Sequence, residues 1–165
     1  MELVPKIVYL LLGGNLGDKK KLLMNAIGRI QDEIGELTAQ SSWYETAAWG
    51  NEDQPTFLNI ALAVRTALAP LAVLEKALQI EEELGRVRME RWGARLIDID
   101  ILMYGNQVIA DGDRLQVPHP RMQERRFVLA PLAEIAGSQV HPVSKITIAE
   151  MLAELHDNLT VLKIG

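Results

Sequence analysis

The stretch LIDIDILMYG, residues 96–105, decides the fold. Its aliphatic run is ended by Gly105-Asn106, a turn pair, and predicts a core strand over Ile97–Tyr104. Just ahead of it, Pro70 suits a helical first turn, and Leu71, Leu74, Ala77, Leu78 and Leu84 mark a helix. Further upstream, FLNIALAVRT (57–66) reads as an alternating strand and Leu37–Tyr44 as another β segment. A loop with Gly50 and Pro55 joins these two. Near the N-terminus, KIVYLLL (6–12) is a strand stopped by Gly13-Gly14-Asn15. Asp18 then caps a helix to about Ile34, with Leu22, Leu23, Ala26, Ile27 and Ile30 as its apolar stripe.

The main elements therefore run β-α-β-β-α-β. This order predicts an α+β, ferredoxin-like core: an antiparallel sheet with both long helices on one face. Phe127–Ala136 and Ile148–Leu155 look helical and would cover the other face, giving an α-β-α sandwich. Val108–Ile109, Leu115–Val117 and Val161–Ile164 are short enough to be edge strands. The expectation is a single domain over residues 1–165, with no repeat and no linker.

Composition narrows the function. The chain has 165 residues, 48% hydrophobic and 24% charged, as in ordinary globular proteins. Its formal net charge of -5 disfavours a broad nucleic-acid surface. The absence of cysteine excludes thiolate nucleophiles, disulfides and iron–sulfur clusters. No apolar run approaches the roughly 18 residues that span a bilayer. Ile7–Leu12 is too short for a signal peptide and no small-residue cleavage site follows it, so a cytoplasmic protein is expected.

Asp98 and Asp100 are the sharpest chemical feature. Two apart on a strand, they project from the same face. Close, unpaired carboxylates on a core strand are costly, and a divalent cation such as magnesium removes that cost. Solvent exposure or pairing with arginines is the alternative. The preceding segment, GRVRMERWGAR (85–95), holds Arg86, Arg88, Arg91 and Arg95 against Glu90 alone. Guanidinium groups take phosphate oxygens bidentately, whereas an isolated loop would pair them with Glu81, Glu82 and Glu83. Trp92 could shield such a site, and Gly85, Gly93 and Gly105 would let the region move. The expectation is that the Gly85–Arg95 loop closes once a phosphate-bearing ligand binds. VPHPRMQERRF (117–127) supplies His119, Arg121, Arg125 and Arg126, the histidine held stiffly between two prolines. His141 and His156 read as structural or surface residues. GGNLG (13–17) matches neither nucleotide-binding glycine motif and reads as a tight strand-to-helix turn. Phe57 and Asn59 share a strand face, suiting a flat heterocyclic amide, with Phe127 as a second aromatic. Core packing is the alternative for both phenylalanines.

Several of these segments together resemble one family. YLLLGGNLGD, SSWYETAAWG, QPTFLN, ELGRVRMERWGARLIDIDILMYGN and LQVPHPRMQERRFVLAPLAEIAG are similar to 6-hydroxymethyl-7,8-dihydropterin pyrophosphokinases of folate biosynthesis. The resemblance implies transfer of pyrophosphate from ATP to the hydroxymethyl group of the reduced pterin, with release of AMP. It implies two magnesium ions held by Asp98 and Asp100, and catalytic roles for Arg88, Arg95 and Asp98. Glu81, Arg88, Trp92, Arg95, Ile101, Arg114, His119 and Arg125 correspond to ATP-side positions. Thr46, Trp49, Phe57, Asn59, Asp98 and Phe127 correspond to pterin-side positions. A monomer with no nucleic-acid or membrane partner is expected. The chain departs from the pattern at Gly14 in place of serine, Ala47-Ala48 in place of Pro-Pro, and Gln116 in place of a small hydroxyl residue. The arginine loop is also one residue shorter around Met89–Glu90 than in some members. A metal-dependent nucleotidyl transferase or cyclase on the same fold would release pyrophosphate rather than AMP. A non-catalytic ligand-sensing module would show no magnesium-dependent ATP turnover.

Overall fold

A computed structural model describes residues 4–14, 18–46, 56–86, 96–156 and 160–165. The strands are β1 (Lys6–Gly14), β2 (Glu36–Gln40), β3 (Tyr44–Thr46), β4 (Phe57–Thr66), β5 (Asp98–Tyr104), β6 (Ile109–Asp111), β7 (Leu115–Val117) and β8 (Val161–Lys163). The helices are α1 (Lys19–Glu33), α2 (Pro70–Arg86), α3 (Arg126–Ala136) and α4 (Ile148–Glu154). The main sheet runs β5-β1-β4-β3-β8, with β2 also paired to β4. Each pairing is antiparallel. The ferredoxin-like order expected from the sequence is therefore present, with β1 and β4 at its centre.

Two apolar layers flank the sheet. On one side Val8, Leu10, Leu12, Leu58, Ile60, Leu62 and Val64 meet Leu23, Ile27 and Ile30 of α1 and Val73, Ala77 and Ile80 of α2. On the other side Tyr9, Leu11, Ala61, Ala63 and Met103 meet Val128, Leu129 and Leu132 of α3 and Ile148 and Met151 of α4. Each fully buried aliphatic side chain contributes about 1.5–3 kcal/mol. Asp18 accepts from the Lys21 N–H at 3.4 Å and caps α1, as expected. Thr147 and Glu150 close a reciprocal cap on α4. Among the described residues no helix is long and apolar enough to cross a membrane.

The structure corrects several boundaries. Strand β4 is buried without a break from Leu58 to Val64, so it does not alternate. A central strand covered on both faces needs apolar residues at both parities. The segment 37–44 is two strands rather than one. Ser41 interrupts it, donating its N–H to the Ala61 carbonyl while its Oγ accepts the Ala61 N–H, both at 2.9 Å. Strands β6 and β7 pair only with each other, forming a separate hairpin rather than edges of the main sheet. Gly85 is not loop; it is buried in the last turn of α2. Gly13 and Gly14 belong to β1 rather than to a turn.

His141 bears out its structural reading. It is buried, and its Nδ1 accepts the N–H groups of Val143 and Ser144 at 3.2 and 3.1 Å. Its Nε2 finds no partner. Burial pushes its pKa below the usual 6.5. The unfolded chain then binds more protons than the folded one as pH falls below 6.5, so stability is full above that value and declines beneath it. Denaturant unfolding at stepped pH should show this decline, and His141→Asn, which keeps one acceptor and loses the titration, should flatten it.

Gly35, between α1 and β2, is a site of close approach. A Cβ there would lie 2.1 Å from the Arg65 carbonyl oxygen, which is main chain and held in β4. Gly35→Ala should cost about 1–3 kcal/mol, read as a lower denaturation midpoint with unchanged slope.

Candidate active site

The register of three strands builds the site. Gly13 of β1 lies opposite Asp98 of β5 on one side and Asn59 of β4 on the other, and Asn59 lies opposite Tyr44 of β3. One rung therefore reads Asp98, Gly13, Asn59, Tyr44. All four residues face the α3 side of the sheet, because side chains on paired strands share a face. In the middle stands a glycine, so the floor between Asp98 and Asn59 is bare across two strand spacings, about 10 Å. The Asn59 amide leans over that floor and donates to the Leu12 carbonyl at 3.2 Å. A Cβ on Gly13 would lie 2.4 Å from its Nδ2, so this arrangement requires glycine. Gly14 is constrained similarly, since a Cβ there would meet the Leu96 carbonyl oxygen at 2.7 Å. In this chain a serine at that position would force the backbone apart.

The end of the same face carries the other acceptor-side residues. Thr46 pairs with Phe57 in the last rung of β3 and β4. Phe57 is 41% exposed, far more than core packing would leave it. Asn59 and Thr46 are buried, and among the described residues the Thr46 hydroxyl finds no hydrogen-bond partner. Phe127, in the first turn of α3, is half-buried against the layer on this face, with the Arg125 guanidinium 5.7 Å from its ring centre. Trp49 lies outside the described residues.

Asp98 and Asp100 project from this face, and Ile99 and Ile101 from the opposite one into the α1–α2 layer. The parity changes at Leu102, where the β1–β5 register slips by a bulge, and both Leu102 and Met103 join the α3 layer. The carbonyl of the bulged residue accepts the His119 N–H at 2.9 Å. His119 Nδ1 in turn accepts the Arg121 N–H at 3.3 Å, which leaves Nε2 as the ring's donor. Burial lowers the His119 pKa, with Asp100 opposing and Arg125 and Arg121 reinforcing that shift. At neutral pH it is thus an uncharged donor.

Strand β5 is the edge of the sheet, and along its outer side runs an open cleft of about 370 Å³. Leu74, Leu78 and Glu81 of α2 form one wall, Asp113–Gln116 of the β6–β7 hairpin the other, and His119 and Pro120 one end. The buried Glu81 carboxylate accepts the Ile99 N–H at 2.6 Å. Alternate residues of an edge strand direct their N–H and C=O groups outward. Ile101, two residues on, therefore presents its peptide groups to the cleft. Arg114 reaches across the mouth to Glu75 at 3.8 Å. Asp100 lines the cleft and also stands beside Asp98 on the slot face, so the carboxylate pair lies where cleft and slot meet.

Of the residues singled out from sequence, the structure thus brings Asp98, Asp100, Thr46, Phe57 and Asn59 onto one sheet face, with Phe127 on the helix over it. Glu81, Ile101, Arg114 and His119 line the cleft, and Arg125 stands beside Phe127. Arg88, Trp92 and Arg95, and with them the proposed loop closure, lie outside the described residues. Sequence reasoning missed the apolar wall of Leu74 and Leu78 and the floor at Gly13. The wall had a signal: Leu78 extends the α2 stripe beyond what the core covers and is 45% exposed. Gly13 had none, since its need comes from Asn59, 46 positions away in sequence.

Asp98 and Asp100 fit a hard divalent cation. They offer carboxylate oxygens side by side, and among the described residues no third His, Asp or Glu completes a protein-only cage. Magnesium is commonly bound by one or two carboxylates with substrate phosphates supplying the rest.

The family model for 7,8-dihydro-6-hydroxymethylpterin-pyrophosphokinase matches residues 9–137. A Methylorubrum extorquens protein named 2-amino-4-hydroxy-6-hydroxymethyldihydropteridine pyrophosphokinase is 47% identical over 148 residues, covering 89% of this chain and 92% of its own. A Bacillus subtilis protein of the same name is 48% identical over 130 residues, covering 78% of this chain and 77% of its own. In fold, the crystal structure of wild-type Plasmodium falciparum HPPK-DHPS superimposes with a TM-score of 0.73 at 16% identity. That match covers 93% of this chain and 45% of the Plasmodium chain, so the chain spans less than half of that protein's length. The slot, the carboxylate pair and the edge cleft all lie on segments within the matched span, and the chain belongs to the 7,8-dihydro-6-hydroxymethylpterin-pyrophosphokinase family.

Proposed function

We propose that this chain transfers pyrophosphate from ATP to the hydroxymethyl group of 6-hydroxymethyl-7,8-dihydropterin, releasing AMP, as a magnesium-dependent step of folate biosynthesis. The observation that carries this reading is the position of Asp98 and Asp100 at the junction of an edge cleft and a glycine-floored slot. The relatives' names support the same reaction.

The two compartments suit the two substrates. The edge cleft offers the apolar side chains of Leu74 and Leu78 for a flat base and the Ile101 peptide groups for its polar edge. His119, an uncharged donor, and Arg125 and Arg114, both cationic, then serve the ribose and phosphates. Arg88 and Arg95 would complete the phosphate clamp, and Trp92 would cover it. In the slot, Phe57 and Phe127 supply faces for the pterin ring. Asn59 and the unpartnered Thr46 hydroxyl supply hydrogen bonds to its amide edge, and Trp49 is a further candidate wall.

The reaction forms a bond from the hydroxymethyl oxygen to the β-phosphorus of ATP. It breaks the bond between that phosphorus and the oxygen bridging to the α-phosphate, and AMP leaves with that oxygen. The protein's part is alignment and charge neutralisation. Asp98 stands nearest the slot floor and accepts the hydroxyl's hydrogen bond as its proton is lost. Asp100, beside His119, holds the nucleotide end. Asp98 and Asp100 would hold magnesium, which would supply charge neutralisation at the phosphate oxygens.

Incubation with magnesium, ATP and the reduced hydroxymethylpterin should yield AMP and the pterin diphosphate in equal amounts. Chelation should abolish the activity and added magnesium restore it. Release of pyrophosphate without AMP would instead identify a nucleotidyl transferase. Asp98→Asn and Asp100→Asn, both near-isosteric, should each lower turnover by roughly a hundredfold or more, since each removes preorganised charge from the reacting centre. Full turnover in both would refute the assignment.

A further inference from the structure

The first turn of α1 runs against helix electrostatics. Lys19, Lys20 and Lys21 occupy the positive end of the helix dipole, where the N-cap Asp18 is the acidic residue beside them. Two of them are engaged elsewhere. The Lys19 ammonium donates to the Thr56 carbonyl at 2.7 Å and contacts the Thr56 hydroxyl at 3.3 Å. The Thr56 hydroxyl donates to the Glu45 carboxylate at 2.8 Å. Lys20 lies 5.5 Å from the centre of the Trp43 ring, just ahead of β3. The helix start thus meets the residue before β3 through Lys20 and the residue before β4 through Lys19, and Thr56 passes the second contact on to Glu45 of β3.

The chain Lys19–Thr56–Glu45 is half-buried and lies on the α1 face of the sheet. Directly in front of it, on the α3 face, is the last β3–β4 rung, Thr46 opposite Phe57. Among the described residues it is the last β3–β4 rung, held on its far side by the pairing of Thr46 with Val161 of β8, and strand ends fray unless tied down. We propose that Lys19 is a positioning residue for the acceptor end of the site: through Thr56 and Glu45 it fixes this rung, and with it the Phe57 ring and the Thr46 hydroxyl. This inference rests on the assignment of Phe57 and Thr46 to the acceptor slot. Lys19 reaches this rung only through Thr56 and Glu45, on the sheet face opposite Phe57 and Thr46, so its effect is expected on the acceptor side.

The test is steady-state kinetics of the full chain with magnesium, varying ATP and the reduced hydroxymethylpterin in turn. Lys19→Met should raise KM for the pterin by about tenfold, as expected for a displaced binding wall, and leave KM for ATP within about twofold. Lys19→Arg, which keeps the donors, should recover most of the loss. Thr56→Val, which keeps the β-branched shape and removes the hydroxyl link, should show the same selectivity in milder form and be non-additive with Lys19→Met. A general loss of structure would instead lower active fraction and leave both KM values in place. Phe57→Ala separates the two layers of argument. If Phe57→Ala raises KM for the pterin while Lys19→Met and Thr56→Val do not, the positioning role is refuted. If Phe57→Ala itself leaves that KM unchanged, the slot assignment fails and the inference falls with it.

Discussion

The bond from the Ile99 N–H to the buried Glu81 carboxylate holds the carboxylate strand in place. Among the described residues strand β5 has a partner on one side only. An edge strand can slip, and a shift of one residue exchanges its two faces. Here that exchange would turn Ile99 and Ile101 toward the slot and bury Asp98 and Asp100 in the α1–α2 layer. A charge-assisted hydrogen bond contributes about 1.5–3 kcal/mol. This one comes from a helix anchored in the core by Val73, Ala77 and Ile80, so it ties the register of β5 to the buried α1–α2 layer. The bulge at Leu102 adds a second lock, because its carbonyl is engaged by the His119 main chain.

Given that register, one sheet face divides into a structural half and a functional half. Toward one end, Tyr9, Leu11, Ala61, Ala63 and Met103 are sealed by α3 and α4. Ala61 and Ala63 are small, which lets α3 approach the sheet. Toward the other end β1, β4 and β5, with β3, carry Gly13, Asn59, Phe57, Asp98 and Thr46, a set that packs poorly and forms the candidate slot. Tyr44 marks the border. Its hydroxyl donates to Glu134 of α3 at 2.7 Å, and burial, with that carboxylate, raises its pKa. Glu134 also accepts from the N–H and hydroxyl of Ser42, so the helix is pinned where the slot begins. The unpartnered Thr46 hydroxyl lies just beyond that boundary, and an unsatisfied buried polar atom is costly unless a ligand completes it.

Much of this was legible in the chain itself. Period-two spacing put Asp98 and Asp100 on one face, and the same rule paired Phe57 with Asn59. Element order led to the ferredoxin-like sheet, and the Asp18 cap and the α1 and α2 stripes were correct to within a few residues. Those features depend on neighbours within a turn or a strand, where backbone geometry alone relates position to direction. The continuous burial of β4 was misread because FLNIALAVRT looks the same whether one face or both are covered until the second helical layer is known.

What only the tertiary structure decided involves partners far apart in sequence. The break at Ser41 exists because Ala61 sits opposite it. Gly13 and Gly14 are required by Asn59 and by Leu96, not by a turn. Glu81 places its carboxylate on the Ile99 main chain, and Lys19 and Lys20 of the KKK run at 19–21 reach Thr56 and Trp43. The amino-acid order determined which residues could carry the chemistry, since residue type and local period are written in it. Which of them converge, and which only hold the others in position, depended on strand register and close packing, because those bring together groups that no local pattern relates.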